Sequence, residues 1–172
     1  MDYFFLYLSM ISEEQKKARY QRLHEQASEL LRTSPSAESA FATLNALLYH
    51  KVSYIFWVGF YLRRNQQLIV SAYQGPLACQ VLPYPKGICW QCVLEETPVI
   101  VPDVHAAPDH ITCDLRAKSE IVLPLFDSHS QIIGVLDIDS DSHSAFTEAD
   151  KSGLQSLLKL LPPLINNSMS IK

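Results

Sequence analysis

Cys113 stands in a polar, proline-punctuated stretch that runs from Val101-Pro102-Asp103-Val104-His105 through His110-Ile111-Thr112-Cys113-Asp114 to Ser119-Glu120. Structural cysteines are small buried hydrophobes that sit in apolar strands or helices. A cysteine flanked by acids and histidines in a loop is instead presented to solvent or to a ligand. Its thiolate would be a nucleophile and a redox centre. Cys79 and Cys89 lie upstream, and the diacid run Leu136-Asp137-Ile138-Asp139 lies downstream. Together they point to thiol chemistry in an acidic pocket.

Spacing sharpens the acids. Asp137 and Asp139 fall on one face of a strand, because side chains alternate. If Glu120 on a neighbouring strand faces them, three carboxylates share a small site. Like charges then oppose full ionisation, and at least one pKa rises. Trp57 and Tyr61, four apart on an earlier strand, also face one way and could form an apolar wall. Taken singly, each residue has a plainer reading: a solvated face for the diacid, core packing for the aromatics, inert thiols at Cys79 and Cys89.

Cys89-Trp90-Gln91-Cys92 matches the spacing of a redox dithiol that opens a helix, but no strand–helix–strand pattern surrounds it. A zinc site drawn from Cys89, Cys92, His105, His110 or Cys113 is the other reading. There is no second Cys-x2-Cys, so no resident metal is expected. His24, His50, His129 and His143 read as surface or helix-end residues.

The chain has 172 residues, 48% hydrophobic and 19% charged, a balance that suits one domain with a substantial core. A net charge of -4 favours neither nucleic acid nor an anionic membrane. Tyr3 to Leu8 is apolar but far short of a membrane span. Asp2 stands where a signal peptide would be basic. Residues 1–10 read as an N-terminal extension and 11–172 as the domain. A cytoplasmic setting is expected, in which the four cysteines rest reduced.

The positioning elements follow from period and punctuation. Ser12-Glu13-Glu14-Gln15 is a capping box opening a helix to about Leu31. A second helix is expected from Ser34-Pro35, with Ala40, Phe41, Leu44, Leu47 and Leu48 at helical spacing. Tyr54 to Leu62 reads as a strand, Arg63 to Gln67 as a turn, and Leu68 to Tyr73 as the returning strand. Gly87 to Glu95 reads as a short helix and Pro98 to Val101 as a strand. A loop runs from Pro102 to Lys118. Ile121–Phe126 and Ile132–Ile138 form a second hairpin. Thr147, with Asp150 three residues on, caps a last helix that carries Leu154, Leu157, Leu158 and Leu161 inward and stops at Pro162-Pro163. This order predicts an α+β fold, with an antiparallel central sheet and the N- and C-terminal helices packed on one face.

Phe56-Trp57-Val58-Gly59-Phe60-Tyr61 and Gly134-Val135-Leu136-Asp137-Ile138-Asp139-Ser140 resemble a GAF domain. Val101-Pro102-Asp103-Val104-His105, Pro108-x-His110-Ile111-x-Cys113-Asp114 and Ser119-Glu120-Ile121-Val122 resemble, more narrowly, the free methionine-(R)-sulfoxide reductases. The likeness spans roughly Glu13 to Leu161.

The resemblance implies reduction of free L-methionine-(R)-S-oxide to methionine. Cys113 would attack, Cys79 would resolve, and Cys89 could join a second disulfide. Trp57, Tyr61, Asp103, Glu120, Asp137 and Asp139 would bind substrate. No cofactor would be bound, and NADPH-coupled thioredoxin would restore the thiols. The resemblance and the apolar first helix point to a homodimer. The chain departs from the family at Cys89-Trp90-Gln91-Cys92, where a glycine and small residues are expected. The runner-up reading is a non-enzymatic GAF module that binds a small ligand, followed by an interaction module.

Overall fold

The computed structural model describes residues 11–107, 111 and 113–165. The N-terminal extension and His110 lie outside the described residues. Helix α1 spans Glu13–Leu31, and the capping box at its start is present: Ser12 accepts from the Gln15 backbone, and the Gln15 side chain accepts from the Ser12 N–H. Helix α2 spans Ala37–Lys51 and begins later than expected. Ser36, not Ser34, is its cap, accepting from the Ser39 N–H at 3.2 Å, so Pro35 precedes the helix instead of opening it.

Six strands form one sheet in the order Val81–Pro83, Gln67–Gln74, Trp57–Arg64, Ile132–Ser140, Ser119–Phe126 and Val99–Val101, and every neighbouring pair is antiparallel. Strand β1 is Trp57–Arg64 and β2 is Gln67–Gln74, joined through Asn65 in the left-handed region at φ 53°. The expected start at Tyr54 moves to Trp57, and the turn shrinks because Arg63 and Arg64 pair with Leu68 and Gln67. Strand β3, Val81–Pro83, was not expected: three residues on the sheet edge carry too short a pattern to read. Helix α3 is Ile88–Glu95 and β4 is Val99–Val101. A single 3-10 turn, Val104–Ala106, lies in the loop before β5, Ser119–Phe126. Strand β6, Ile132–Ser140, runs two residues further than its expected end and so takes in Asp139. Helix α4, Glu148–Leu158, opens on the Thr147–Asp150 capping box. It stops at Leu158, ahead of the 3-10 turn that holds Pro162 and Pro163.

Strand alternation divides the sheet into two faces. Val58, Phe60, Leu62, Ile121, Leu123, Leu125, Leu136 and Ile138 point into one core with α1, α2 and α4. Phe41 of α2 stacks on Phe60 with ring centroids 4.3 Å apart. Helices α1 and α4 approach closely at Gly153, where a Cβ would come within 2.1 Å of the Tyr20 ring. The intervening side chains, Trp57, Tyr61, Val122 and Val135, point the other way, into a second core under α3. The helices thus cover one face as expected, and the opposite face is left to α3 and the loops. Among the described residues no helix is long and apolar enough to cross a membrane.

Candidate active site

The second face carries the acids because the registers of three strands coincide. Asp139 on β6 pairs with Trp57 on β1 and with Glu120 on β5. Asp137, two residues back, pairs with Gly59 and Val122. Glu120, Asp139 and Trp57 therefore stand in one row across the sheet, with Asp137 in the next row on the same face. Gly59 is needed beneath them. A Cβ there would come within 2.4 Å of the Trp57 indole, so the glycine lets the ring lie over the strand.

A cavity opens on this face. Trp57, Tyr61, Cys89, Glu120, Asp137 and Asp139 line it together with Cys113. Trp57 and Tyr61 lie side by side with ring centroids 5.9 Å apart, and Tyr73 stacks on the outer side of Trp57 at 5.6 Å. The Tyr61 hydroxyl donates to the carbonyl oxygen of Cys79 at 2.9 Å, tying the loop after β2 to the wall.

Cys79 and Cys113 are joined by a disulfide, their Cα atoms 5.4 Å apart. Cys113 is exposed and Cys79 partly buried. The bond spans two loops separated by 34 residues, at the mouth of the cavity. Cys89 and Cys92 are free and buried. Both belong to α3, but only Cys89 lines the cavity. The bulky Trp90 between them turns away and anchors the helix. It is 1% exposed, donates to the Leu82 carbonyl at 3.0 Å and packs edge-on against Tyr84.

The acids are strongly perturbed. Burial, reinforced by the charges of Asp137 and Asp139, holds the Glu120 carboxyl well above its ordinary value. Burial, then Asp137, does the same to Asp139. Asp137 is pushed up by burial to about 6, opposed by hydrogen bonds with Glu120 and Cys89. Burial and the neighbouring carboxylates also push the Cys89 thiol up. Burial is thus the first cause that raises all three acids, and like charges add to it at Glu120 and Asp139, which opposes full ionisation of the cluster.

Among the described residues, two buried polar atoms on the cavity lining have no hydrogen-bond partner: the Trp57 Nε1 donor and the Asp137 Oδ1 acceptor. Orphans of this kind are rare in folded proteins and costly to keep. A ligand that offers both an acceptor and a cationic donor would satisfy them.

Asp103 is not brought to this cavity. Its carboxylate accepts from the His105 backbone N–H at 3.0 Å, capping the 3-10 turn, and its side chain is 44% exposed. An Asx turn explains an aspartate at this position without a ligand. Residues that sequence reasoning missed, Phe56, Ile88 and Ile111, also line the cavity. Their apolar character gave no signal apart from core packing. Cys89, Glu120 and Asp137 lie close enough to share an ion.

A family model described as GAF domain matches residues 19–161. The chain is 40% identical over 152 residues to GAF domain-containing protein A of Dictyostelium discoideum, covering 88% of this chain and 95% of that protein. It is 38% identical over 146 residues to the free methionine-R-sulfoxide reductase of Escherichia coli, covering 85% and 88%. Its fold superposes with a TM-score of 0.82 on the free methionine-R-sulfoxide reductase of Neisseria meningitidis, solved in complex with its substrate. The two chains are 37% identical, with 86% and 89% covered.

Proposed function

Because the chain belongs to the GAF-domain family, and within it to the free methionine-R-sulfoxide reductases, we propose that it reduces free L-methionine-(R)-S-oxide to L-methionine. The observation that carries this reading is the exposed Cys113 at the mouth of a cavity floored by Glu120, Asp137 and Asp139.

The chemistry requires a nucleophile for sulfur and a proton for oxygen. The Cys113 thiolate attacks the sulfoxide sulfur while a protonated acid, Glu120 or Asp139, protonates the oxygen. The hydroxyl then migrates to the Cys113 sulfur as the new sulfur–sulfur bond and the S–O bond both break, so methionine leaves with the electron pair on its sulfur and Cys113 becomes a sulfenic acid. The Cys79 thiol then attacks that sulfur, forming the disulfide and releasing the oxygen as water. A dithiol reductant of the thioredoxin kind restores both thiols by exchange. Cys89, on the cavity wall, is a candidate for a second internal exchange.

Selectivity for the free amino acid follows from charge. The ammonium group of a free amino acid can meet the unpartnered Asp137 oxygen, whereas a peptide-bonded residue has no charge there. The Trp57 and Tyr61 rings suit the S-methyl group, since sulfur–aromatic contacts are favourable. The Trp57 N–H can donate to a carboxylate or sulfoxide oxygen.

Separated R and S isomers of free and peptide-bound methionine sulfoxide, with quantified methionine release, test the proposal. Turnover is expected for the free R isomer alone and is lost in Cys113→Ser. Tight binding without methionine release would favour a ligand-binding module instead.

A further inference from the structure

Cys89, Glu120 and Asp137 bring one sulfur and two carboxylate oxygens within 4.8 Å of one another, and all three residues are buried. They come from α3, β5 and β6, so the tertiary fold and not chain adjacency assembles them. A second observation also points to a ligand. Asp137 is 8% exposed, lines the cavity, and has an Oδ1 with no hydrogen-bond partner among the described residues. A buried acceptor in that state calls for a donor or a cation. The donor set is chemically selective. Zinc accepts thiolate sulfur at about 2.3 Å and carboxylate oxygen at about 2.0–2.2 Å in one tetrahedral site. Calcium and magnesium are hard cations that take oxygen ligands, so a thiolate in the set disfavours both.

We propose that the reduced protein carries a site for a thiophilic divalent cation of the zinc class. Its ligands are the Cys89 sulfur and one oxygen each from Glu120 and Asp137, and the cation excludes the sulfoxide substrate from the cavity. The inhibitory half rests on the proposed reductase reading. Cation and substrate ammonium address the same Asp137 carboxylate, so they compete for it. Binding forms one metal–sulfur and two metal–oxygen bonds with no change of oxidation state. The thiol proton passes to solvent on binding. The bound cation also withholds Cys89 from thiol exchange.

Cobalt(II) is the probe, added without oxygen to a reduced Cys79→Ser, Cys113→Ser double variant that keeps only Cys89 and Cys92. A thiolate-to-cobalt band in the near ultraviolet and visible ligand-field bands of a four-coordinate ion are expected. Adding Cys89→Ser should abolish the near-ultraviolet band, and Cys92→Ser should leave it. Asp137→Asn should weaken cobalt binding about tenfold or more, since even outer partners of metal ligands cost about that much. Circular dichroism checks the fold of each variant. Free methionine-(R)-sulfoxide should bleach the bands, and Zn2+ should raise KM in the wild-type assay with kcat unchanged. A band that survives Cys89→Ser, or no band at all, overturns the site. Bands that the free sulfoxide does not displace overturn the inhibitory role. A Cys89-dependent band in the double variant, alongside a wild-type protein that fails to turn over the sulfoxide, leaves the site standing and overturns the reductase reading.

Discussion

Glu120 and Asp139 stand directly opposite one another in the antiparallel pairing of β5 with β6. Burial is the first cause that raises both groups, and like charges add to it, Asp137 and then Asp139 at Glu120, Asp137 and then Asp114 at Asp139. The pair therefore keeps protons that isolated carboxylates would lose, and both groups sit above their ordinary values.

A pH dependence follows from that pair. The folded protein binds more protons here than the unfolded chain, so stability falls as pH rises. The contribution is fully present below the ordinary values of 4.5 for Glu120 and 3.8 for Asp139, and is lost as pH climbs through the raised ones. For Asp137 the window runs from 3.8 to about 6. Glu120→Gln removes one such group. Its melting temperature relative to wild type should therefore rise from acid to neutral pH, as read by calorimetry across that range. In the same variant kcat should fall about 10²- to 10⁴-fold, the usual worth of a positioned acid. A rate unchanged in both Glu120→Gln and Asp139→Asn would remove the acids from the mechanism.

Tyr61 is expected to position the resolving thiol. Its hydroxyl holds the Cys79 carbonyl at 2.9 Å, and one such bond is worth about 1 kcal/mol. Tyr61→Phe keeps the ring but frees the loop. Methionine release in a single turnover should be unchanged, while disulfide formation slows about fivefold. Quenched-flow sampling with sulfenic-acid trapping separates the two steps. Equal slowing of both would assign Tyr61 to the substrate instead.

Gly59→Ala is expected to tilt the Trp57 indole, because the new Cβ would meet it at 2.4 Å. Overpacking of this kind costs about 1–3 kcal/mol. The KM for the sulfoxide should rise more than kcat falls, since the wall moves and the thiol does not. Steady-state kinetics with Trp57 fluorescence as the structural readout checks this.

Asp150 ties α4 to α1 on the far side of the sheet. It accepts from Lys16 at 2.5 Å, from Tyr20 at 3.0 Å and from the hydroxyl of Tyr54. Asp150→Ala would leave the Lys16 ammonium buried without its counter-charge, at a cost of about 3–5 kcal/mol. The melting temperature should drop by about 10 °C. Activity per folded molecule should be retained, because this network lies across the sheet from the cavity. Thermal melts and rates below the melting temperature, compared side by side, give the answer.

By itself the sequence determined the local features of this protein. Ser12 with Gln15 and Thr147 with Asp150 are capping boxes in text and in space, because the reciprocal bonds span only three residues. The alternation from Trp57 to Tyr61 and from Asp137 to Asp139 assigned each side chain to a face, because strand parity is a property of one segment. The thiols were legible through the family motif. Tertiary structure decided the rest. Whether Glu120 shares a row with Asp139 depends on the register between two strands, and no single strand contains that information. The edge strand Val81–Pro83 exists only because β2 offers it a partner. Asp103 belongs to the same motif as the site residues, yet it caps a turn outside the cavity. Cys89 and Cys92 share one short helix, and only packing against the sheet turns Cys89 toward the acids. Faces and caps are written in neighbours along the chain, whereas a site is written in contacts between segments far apart in it.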